Sequence, residues 1–182
     1  MVEFVELNKN SFEEYIKKEA AIIDFYTSWC PPCRVLEEEL KKVKREIPIG
    51  RLNCDTNIEI ARKFEIKFVP TMVLLVEGRE LCRVIGVEMK RINMIFDAYQ
   101  LLIKDGEVRS FAVRLSEFAN KHNLMVNVAA LNAALYYKGE RCPCRIDVKK
   151  CPCDDAIEHI RSTGKCYCGL FLLKEVPSAG HS

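Results

Sequence analysis

The sequence has 182 residues, of which 49% are hydrophobic and 30% are charged, as in globular proteins that bury one or two compact cores. A formal net charge of +2 and the lack of a long basic run argue against a nucleic-acid partner. The N-terminus shows no signal-peptide pattern, and no apolar run approaches the roughly 20 residues that cross a bilayer. We therefore expect a soluble, cytoplasmic protein with no membrane partner.

The predicted elements of the first half alternate between helices and short apolar strands. A capping box at Ser11 and Glu14 predicts a helix that runs to about Ala20. Apolar runs that are too short for helices and are bounded by turns predict strands over residues 21–26, 71–76 and 80–85. Helical spacing predicts helices over residues 34–46, 58–64 and 89–104. Such alternation predicts an α/β layer with parallel pairing in its centre.

The second half has a different pattern and is predicted to be mainly α-helical. A polar, glycine-containing break at 104–107 predicts a boundary between one domain over residues 1–104 and another over 106–176. Helices are expected over residues 110–122, 126–138 and 154–162, the last with Asp154 as N-cap and Gly164 beyond its end. Residues 170–173 are expected to pack against the core, and residues 177–182 to form a loose tail.

The chain contains ten cysteines, and their distribution is uneven. Six lie within residues 142–168, and two more form a single CxxC motif. Without a signal peptide, such clusters favour metal or redox chemistry over structural disulfides. The two isolated cysteines, Cys54 and Cys82, are interpreted as small buried hydrophobic residues.

The CxxC motif, Trp29-Cys30-Pro31-Pro32-Cys33, follows a predicted strand and opens a predicted helix. A helix N-terminus favours the thiolate form of the first cysteine, which can attack a disulfide while the second cysteine resolves the mixed disulfide. A CxxC motif alone also fits half of a zinc site. Asp24 lies six residues earlier in an apolar strand, where burial is expected to raise the carboxyl pKa.

Two segments of the first half resemble the thioredoxin family. Asp24-Phe25-Tyr26-Thr27-Ser28-Trp29-Cys30 is similar to its strand and active-site segment, and Phe68-Val69-Pro70-Thr71 is similar to its cis-proline loop. The resemblance covers about residues 1–104. It implies a thioredoxin fold, with a central mixed sheet flanked by helices.

The same resemblance assigns roles to four residues. It implies that Cys30 is the attacking nucleophile, that Cys33 is the resolving cysteine, that Asp24 is a buried proton-transfer group and that Pro70 is a cis-proline beside the dithiol. Thioredoxins usually carry Gly-Pro where this chain has Pro31-Pro32. This difference bears on the redox potential and leaves the type of reaction unchanged.

The remaining six cysteines form three Cys-x-Cys pairs: Cys142-Pro143-Cys144, Cys151-Pro152-Cys153 and Cys166-Tyr167-Cys168. Four thiolates suit a [4Fe–4S] cluster and leave two for a redox pair. Four thiolates also suit zinc, so the spacing alone leaves both metals open.

The order Cys-Pro-Cys-Arg, Cys-Pro-Cys and Cys-x-Cys-Gly-Leu-Phe-Leu resembles the catalytic subunit of ferredoxin:thioredoxin reductase, over about residues 106–176. This resemblance implies four cluster ligands and a redox disulfide between the other two cysteines. The ligands would be Cys142, Cys151, Cys153 and Cys166, and the disulfide would join Cys144 to Cys168. Tyr167 occupies the position of a family histidine, for which His159 or His122 could substitute.

Together, the two resemblances imply an iron–sulfur disulfide reductase. Electrons from a ferredoxin or a similar one-electron donor would pass through the cluster to Cys144–Cys168 and on to Cys30–Cys33, in the same chain or in another. That dithiol would then reduce protein disulfides. Two alternatives remain at this stage: a structural zinc module, and a cluster that only senses the redox state.

Overall fold

The computed structural model describes residues 1–140 and 150–174. The strands in chain order are β1 (Val2–Leu7), β2 (Ala20–Tyr26), β3 (Ile47–Asn53), β4 (Thr71–Val76), β5 (Arg79–Ile85), β6 (Leu124–Val126) and β7 (Phe171–Leu173). The helices are α1 (Lys9–Tyr15), α2 (Pro31–Lys41), α3 (Ile58–Lys63), α4 (Met89–Lys104), α5 (Gly106–Lys121), α6 (Val128–Tyr136) and α7 (Ala156–Thr163). Within the described ranges, no helix is both long enough and apolar enough to cross a membrane.

Five strands form one mixed sheet in the order β1-β3-β2-β4-β5. Strand β3 pairs in parallel with both β1 and β2, whereas β4 pairs antiparallel with β2 and β5. The expected mixed sheet with parallel pairing is therefore confirmed. Strands β1 and β3 were not predicted. Strand β3 contains Pro48 and Gly50, and a Cβ at Gly50 would lie 2.6 Å from a methyl carbon of Leu7.

The first two helices begin at residues other than the predicted ones. Asn8 is the N-cap of α1: its side chain accepts the N–H of Ser11, whose hydroxyl in turn accepts the N–H of Asn8. The prediction that Ser11 and Glu14 form the capping box was therefore wrong, and the helix ends at Tyr15. Helix α2 begins three residues earlier than predicted, because Pro31 fits the first helical position, where no N–H is needed.

Asp105 connects α4 directly to α5. It is the C-cap of α4, and its side chain accepts the N–H groups of Glu107 and Val108 at the start of α5. Helix α4 has the predicted bounds, whereas α5 begins at Gly106 instead of residue 110 because of this cap. The division into two domains at this position stays a prediction.

The C-terminal half packs directly on the sheet. One buried cluster extends from β2 and β4 through α4 and α5 to Cys153 and Cys166, and a second, smaller cluster lies on the opposite face of the sheet. The hydroxyl of Ser116, on α5, donates to the carbonyl of Glu80, on β5, at 2.7 Å. Helices α4, α5 and α6 therefore cover one side of the sheet.

The last described elements are short. Strand β6, which was not predicted, pairs antiparallel with β7. Helix α7 has Asp155 as its N-cap in place of the predicted Asp154. It ends at Gly164, which has φ 83° and takes the predicted C-terminal position.

Candidate active site at the CxxC disulfide

A disulfide joins Cys30 to Cys33 at the N-terminus of α2, and their Cα atoms are 5.3 Å apart. Cys30 is the N-cap of the helix, and its sulfur accepts the backbone N–H of Cys33 at 3.1 Å. Both residues are only 3% exposed. The hydrogen bond and the positive end of the helix both favour negative charge on the Cys30 sulfur once the disulfide is reduced.

The proline loop lies against this disulfide. The Val69–Pro70 peptide bond is cis, as the resemblance implied, and the carbonyl oxygen of Val69 lies 3.7 Å from Cys30 Sγ. The Thr71 hydroxyl donates to the carbonyl of Phe68 at 2.7 Å, which closes the loop. Two motifs that are far apart in the sequence are thus brought together, with the first residue of β4 directly after the proline.

Trp29 lies at the surface beside the disulfide and is 70% exposed. Its indole N–H donates to Asp55 Oδ1 at 3.2 Å, and the backbone N–H of Ser28 donates to the other carboxylate oxygen at 3.3 Å. Asp55 therefore holds the segment that leads into the CxxC motif. Sequence reasoning did not identify Asp55, although its position two residues after the end of β3 is a typical one for a site residue in an α/β sheet.

Asp24 is a buried carboxyl group on β2, with 1% exposure. Burial raises its pKa from 3.8 to about 6, and the nearby Arg51 guanidinium opposes part of that rise. Arg51 Nε donates to Asp24 Oδ2 at 3.4 Å, whereas Oδ1 has no hydrogen-bond partner among the described residues. The predicted burial and the direction of the pKa shift are both confirmed.

Arg51 connects Asp24 to charged residues nearer the surface. It lies directly opposite Asp24 in the parallel pairing of β2 with β3. Its guanidinium is 3.2 Å from carboxylate oxygens of both Glu6 and Glu37, and it lies 4.3 Å from the centre of the Tyr26 ring. The sequence did not single out Arg51, because only strand register places it beside Asp24.

The two isolated cysteines have the character of packing residues. Cys82 is buried, and burial raises the pKa of its thiol. Cys54 is half-buried, and burial raises its pKa to about 11. Both thiols therefore stay protonated near neutral pH, which fits the structural interpretation.

The six C-terminal cysteines are described only in part. Cys142, a predicted ligand, and Cys144, a partner in the predicted Cys144–Cys168 disulfide, lie outside the described residues. Cys153 and Cys166 are buried, whereas Cys151 and Cys168 are half-buried. Over 1–140 and 150–174, no group of three or more His, Cys, Asp or Glu side chains is arranged to hold a metal ion.

Cys166 and Cys168 lie in a tight loop before β7. Their sulfur atoms are 3.6 Å apart, which is too far for a bond between them. The Cys166 sulfur accepts the backbone N–H of Phe171 at 3.2 Å. The hydrogen bond from Cys168, together with backbone N–H groups that include those of Leu170 and Phe171, lowers the pKa of Cys166 to about 6.

The two candidate histidines occupy different surroundings. The His159 ring lies 3.7 Å from the Tyr167 ring, centre to centre, and its Nδ1–H donates to the carbonyl of Lys165 at 2.8 Å. His122 instead contacts Phe118 at the end of α5. His159 is thus the histidine beside the Cys-x-Cys loop.

A mixed sheet with parallel central pairing, a disulfide at a helix N-terminus and a facing cis-proline define the thioredoxin-fold class of thiol–disulfide oxidoreductases. The family model described as Thioredoxin matches residues 3–97, and the chain belongs to the thioredoxin family.

Two relatives of the chain are themselves named thioredoxins. The chain is 33% identical over 87 residues to a thioredoxin of Chlamydia pneumoniae, and this match covers 46% of this chain and 85% of that protein. It is also 33% identical over 97 residues to the mitochondrial thioredoxin-2 of Schizosaccharomyces pombe, covering 50% and 73%. Among solved structures, thioredoxin f2 of Chlamydomonas reinhardtii matches at 26% identity and a TM-score of 0.49, covering 53% of this chain and 96% of that one.

The family match ends at residue 97, before the cysteine-rich region. The comparisons give no evidence for a fused domain like the catalytic subunit of ferredoxin:thioredoxin reductase. That resemblance, over about residues 106–176, stays a prediction.

Proposed function

We propose that Cys30 and Cys33 reduce protein disulfides by dithiol exchange. The observation that carries this proposal is the Cys30–Cys33 disulfide at the start of α2, facing cis-Pro70, with Asp24 buried on β2, the strand that leads into the motif. The Cys30 thiolate attacks a substrate sulfur, so that a mixed disulfide forms and one substrate thiolate leaves. Cys33 then attacks the Cys30 sulfur, which releases the second substrate thiol and restores the Cys30–Cys33 disulfide.

Asp24 is proposed to handle the proton of this exchange. Cys33 must lose its proton before it attacks, and a buried carboxylate with a pKa of about 6 can accept a proton near neutral pH. Arg51 keeps part of the Asp24 population ionised, because the guanidinium stabilises the carboxylate. Asp24 therefore acts as the proton acceptor for Cys33, and Arg51 lowers the pKa of Asp24 towards its ordinary value.

Cysteine variants test the two thiol roles. The full chain, kept reduced by dithiothreitol, is expected to reduce the disulfides of insulin. After dithiothreitol has been removed, Cys33→Ser should accumulate a mixed disulfide at Cys30, located by peptide mass spectrometry, whereas Cys30→Ser should form none at Cys33. Cys54→Ser is the matched control and should retain the rate of the unmodified protein. A mixed disulfide at Cys33 in Cys30→Ser would contradict the assignment.

We further propose that the C-terminal cysteines bind a [4Fe–4S] cluster through Cys142, Cys151, Cys153 and Cys166, with Cys144 and Cys168 as a redox disulfide. When bound, such a cluster would supply single electrons from a ferredoxin-like donor to this disulfide. The order of the three Cys-x-Cys motifs supports the proposal.

The chemistry of individual donors also supports the cluster. Cys153 and Cys166 are buried, and Cys166 accepts an N–H from Phe171, the type of hydrogen bond that tunes cluster thiolates. Cys168 lies beside Cys166, which puts a proposed redox sulfur next to a proposed ligand. The support comes from the burial and hydrogen bonding of these thiols. It does not come from a complete ligand set, since the described part of the chain does not bring three metal ligands together.

The proposed cluster is tested first by measuring the metal and sulfide content of the protein, and then by measuring electron transfer. Protein purified without oxygen is expected to be brown and to contain about four iron and four sulfide ions per chain. Cys166→Ala should lose the iron, and Cys82→Ala should keep it. A colourless protein with zinc would instead establish a structural metal module. A cluster-containing protein that cannot pass electrons from reduced ferredoxin to Cys30–Cys33 would be a redox sensor.

A further inference from the structure

A cavity of about 210 Å³ opens beside the proline loop. One wall comes from Phe68 and Thr71, which flank Val69–Pro70, and the opposite wall comes from residues 124–126 of β6. The thioredoxin match ends at residue 97, so this second wall belongs to the part of the chain outside the match. The cavity therefore combines the thioredoxin region with the C-terminal region.

The lining suits an apolar group at its base and a charged group at its mouth. The base includes the buried side chains of Leu81, Leu124 and Val126, and the mouth includes the exposed side chains of Phe68 and Ile85. A volume of about 210 Å³ is below the roughly 300–1,000 Å³ of pockets that enclose drug-sized ligands. It fits a single large side chain better than a cofactor.

The charges around the cavity favour an acidic neighbour for that side chain. The lining contains three cations and two carboxylates, which leaves one positive charge in excess. The carboxylate of Glu80 pairs with Arg83, and that of Glu65 with Lys174. Lys67, an exposed residue next to Phe68, therefore accounts for the excess positive charge of the lining.

The cavity and the redox site lie along the same proline loop. Val69 O is 3.7 Å from Cys30 Sγ, and Phe68, the adjacent residue of the loop, already lines the cavity. A substrate cysteine that bonds to Cys30 must approach this loop. Because an extended chain advances about 3.3 Å per residue, a side chain about two to four residues from that cysteine can reach the cavity.

We propose that the cavity binds a large apolar side chain of the protein substrate, such as Leu, Met or Phe, within a few residues of the reacting cysteine and next to an acidic residue. This inference rests on the proposed disulfide-reductase function and names a substrate class for it. The C-terminal region thereby narrows the range of disulfides that the thioredoxin site accepts.

Two disulfide-linked peptides and one pair of variants test the inference on the full chain. The peptides differ only in a Leu or an Ala near the cysteine, and Ellman's disulfide serves as a substrate without flanking residues. The Leu peptide is expected to have a kcat/KM about tenfold higher. Asn120→Trp, which adds bulk at an exposed lining position of α5, should remove this preference and leave the rate with Ellman's disulfide unchanged. Lys121→Trp, on the exposed neighbour, should retain the preference.

The outcomes separate this inference from the proposed function. If no substrate is reduced, the proposed function fails and the inference fails with it. If both peptides are reduced at equal rates, only the inference is overturned. It is also overturned if removal of residues 175–182 raises the peptide rate, or if Asn120→Trp abolishes a dimer seen by light scattering, because the chain itself would then fill the cavity.

Discussion

Replacement of Asp24 by asparagine is expected to stabilise the protein above pH 6. The carboxyl pKa is about 6 in the folded protein and 3.8 in its ordinary state. Each tenfold change in the acid dissociation constant is worth about 1.4 kcal/mol, so the ionised carboxylate costs about 3 kcal/mol in the folded state. The asparagine side chain carries no charge at any pH, keeps nearly the same shape and avoids this cost.

The pH dependence follows from the direction of the shift. Below pH 3.8, Asp24 is protonated in both states and its burial carries no charge penalty. Between pH 3.8 and 6, the unfolded chain ionises while the folded chain stays protonated, so the stability of the unmodified protein falls as pH rises. Above pH 6 the full penalty of about 3 kcal/mol is present.

Guanidinium unfolding of the unmodified protein and of Asp24→Asn, measured at unit steps from pH 4 to 8, tests this reasoning. The free energies of unfolding should agree closely at pH 4 and differ by about 3 kcal/mol at pH 8. Asp97→Asn, at a half-exposed surface carboxylate, should stay within about 0.5 kcal/mol throughout. A gain for Asp24→Asn that is the same at pH 4 and pH 8 would refute the burial argument.

Three further substitutions test packing and capping by the same unfolding measurement. Gly139→Ala is expected to cost about 2–4 kcal/mol, because its φ is +78° and the new Cβ would lie 2.4 Å from a ring carbon of Phe111. Ser116→Ala should cost about 1–3 kcal/mol, because the carbonyl of Glu80 loses the hydroxyl donor of a buried side chain. Asn8→Ala should cost about 1 kcal/mol through the loss of the α1 cap.

Each substitution has a matched control. Gly164→Ala also has a positive φ, but its Cβ would meet no atom within 4 Å, so it should cost less than Gly139→Ala. Ser110→Ala removes an exposed hydroxyl from the same helix as Ser116 and should be nearly neutral. Asn10→Ala, in the first turn of α1, removes no cap. Equal costs within any pair would contradict the assigned contact.

The sequence was sufficient to predict the elements that carry a complete local signal. Strands β2 and β4 are apolar runs, apart from Asp24 in β2 and Thr71 in β4, and are buried along nearly their whole length, so their bounds were predicted almost fully. Strand β1 contains two exposed glutamates that do not follow a strict alternation, and β3 includes a proline and a glycine, so neither gave a clear pattern. These two segments become strands because they pair with each other and because β3 also pairs with β2.

The same distinction applies to the active site. Cys30, Cys33 and Pro70 belong to short motifs whose chemistry is recognisable from the sequence. Arg51 and Asp55 reach the site only through the folding of β3 beside β2. Strand register is a property of the assembled sheet, so the sequence around Arg51 gave no sign of its place beside Asp24, and Asp55 could not be located because β3 was not predicted.

Asp105 is the single residue between α4 and α5 and caps both helices. Because Ser116 also anchors α5 to the sheet, the start of the C-terminal region is held on the sheet and is not a flexible tether. A tether of that kind is what gives two linked reactants a high effective concentration. If the proposed Cys144–Cys168 pair does not face Cys30–Cys33, the proposed exchange between them would occur between separate molecules. Its rate would then rise with the square of the protein concentration, and the turnover of each molecule would depend on how abundant the protein is.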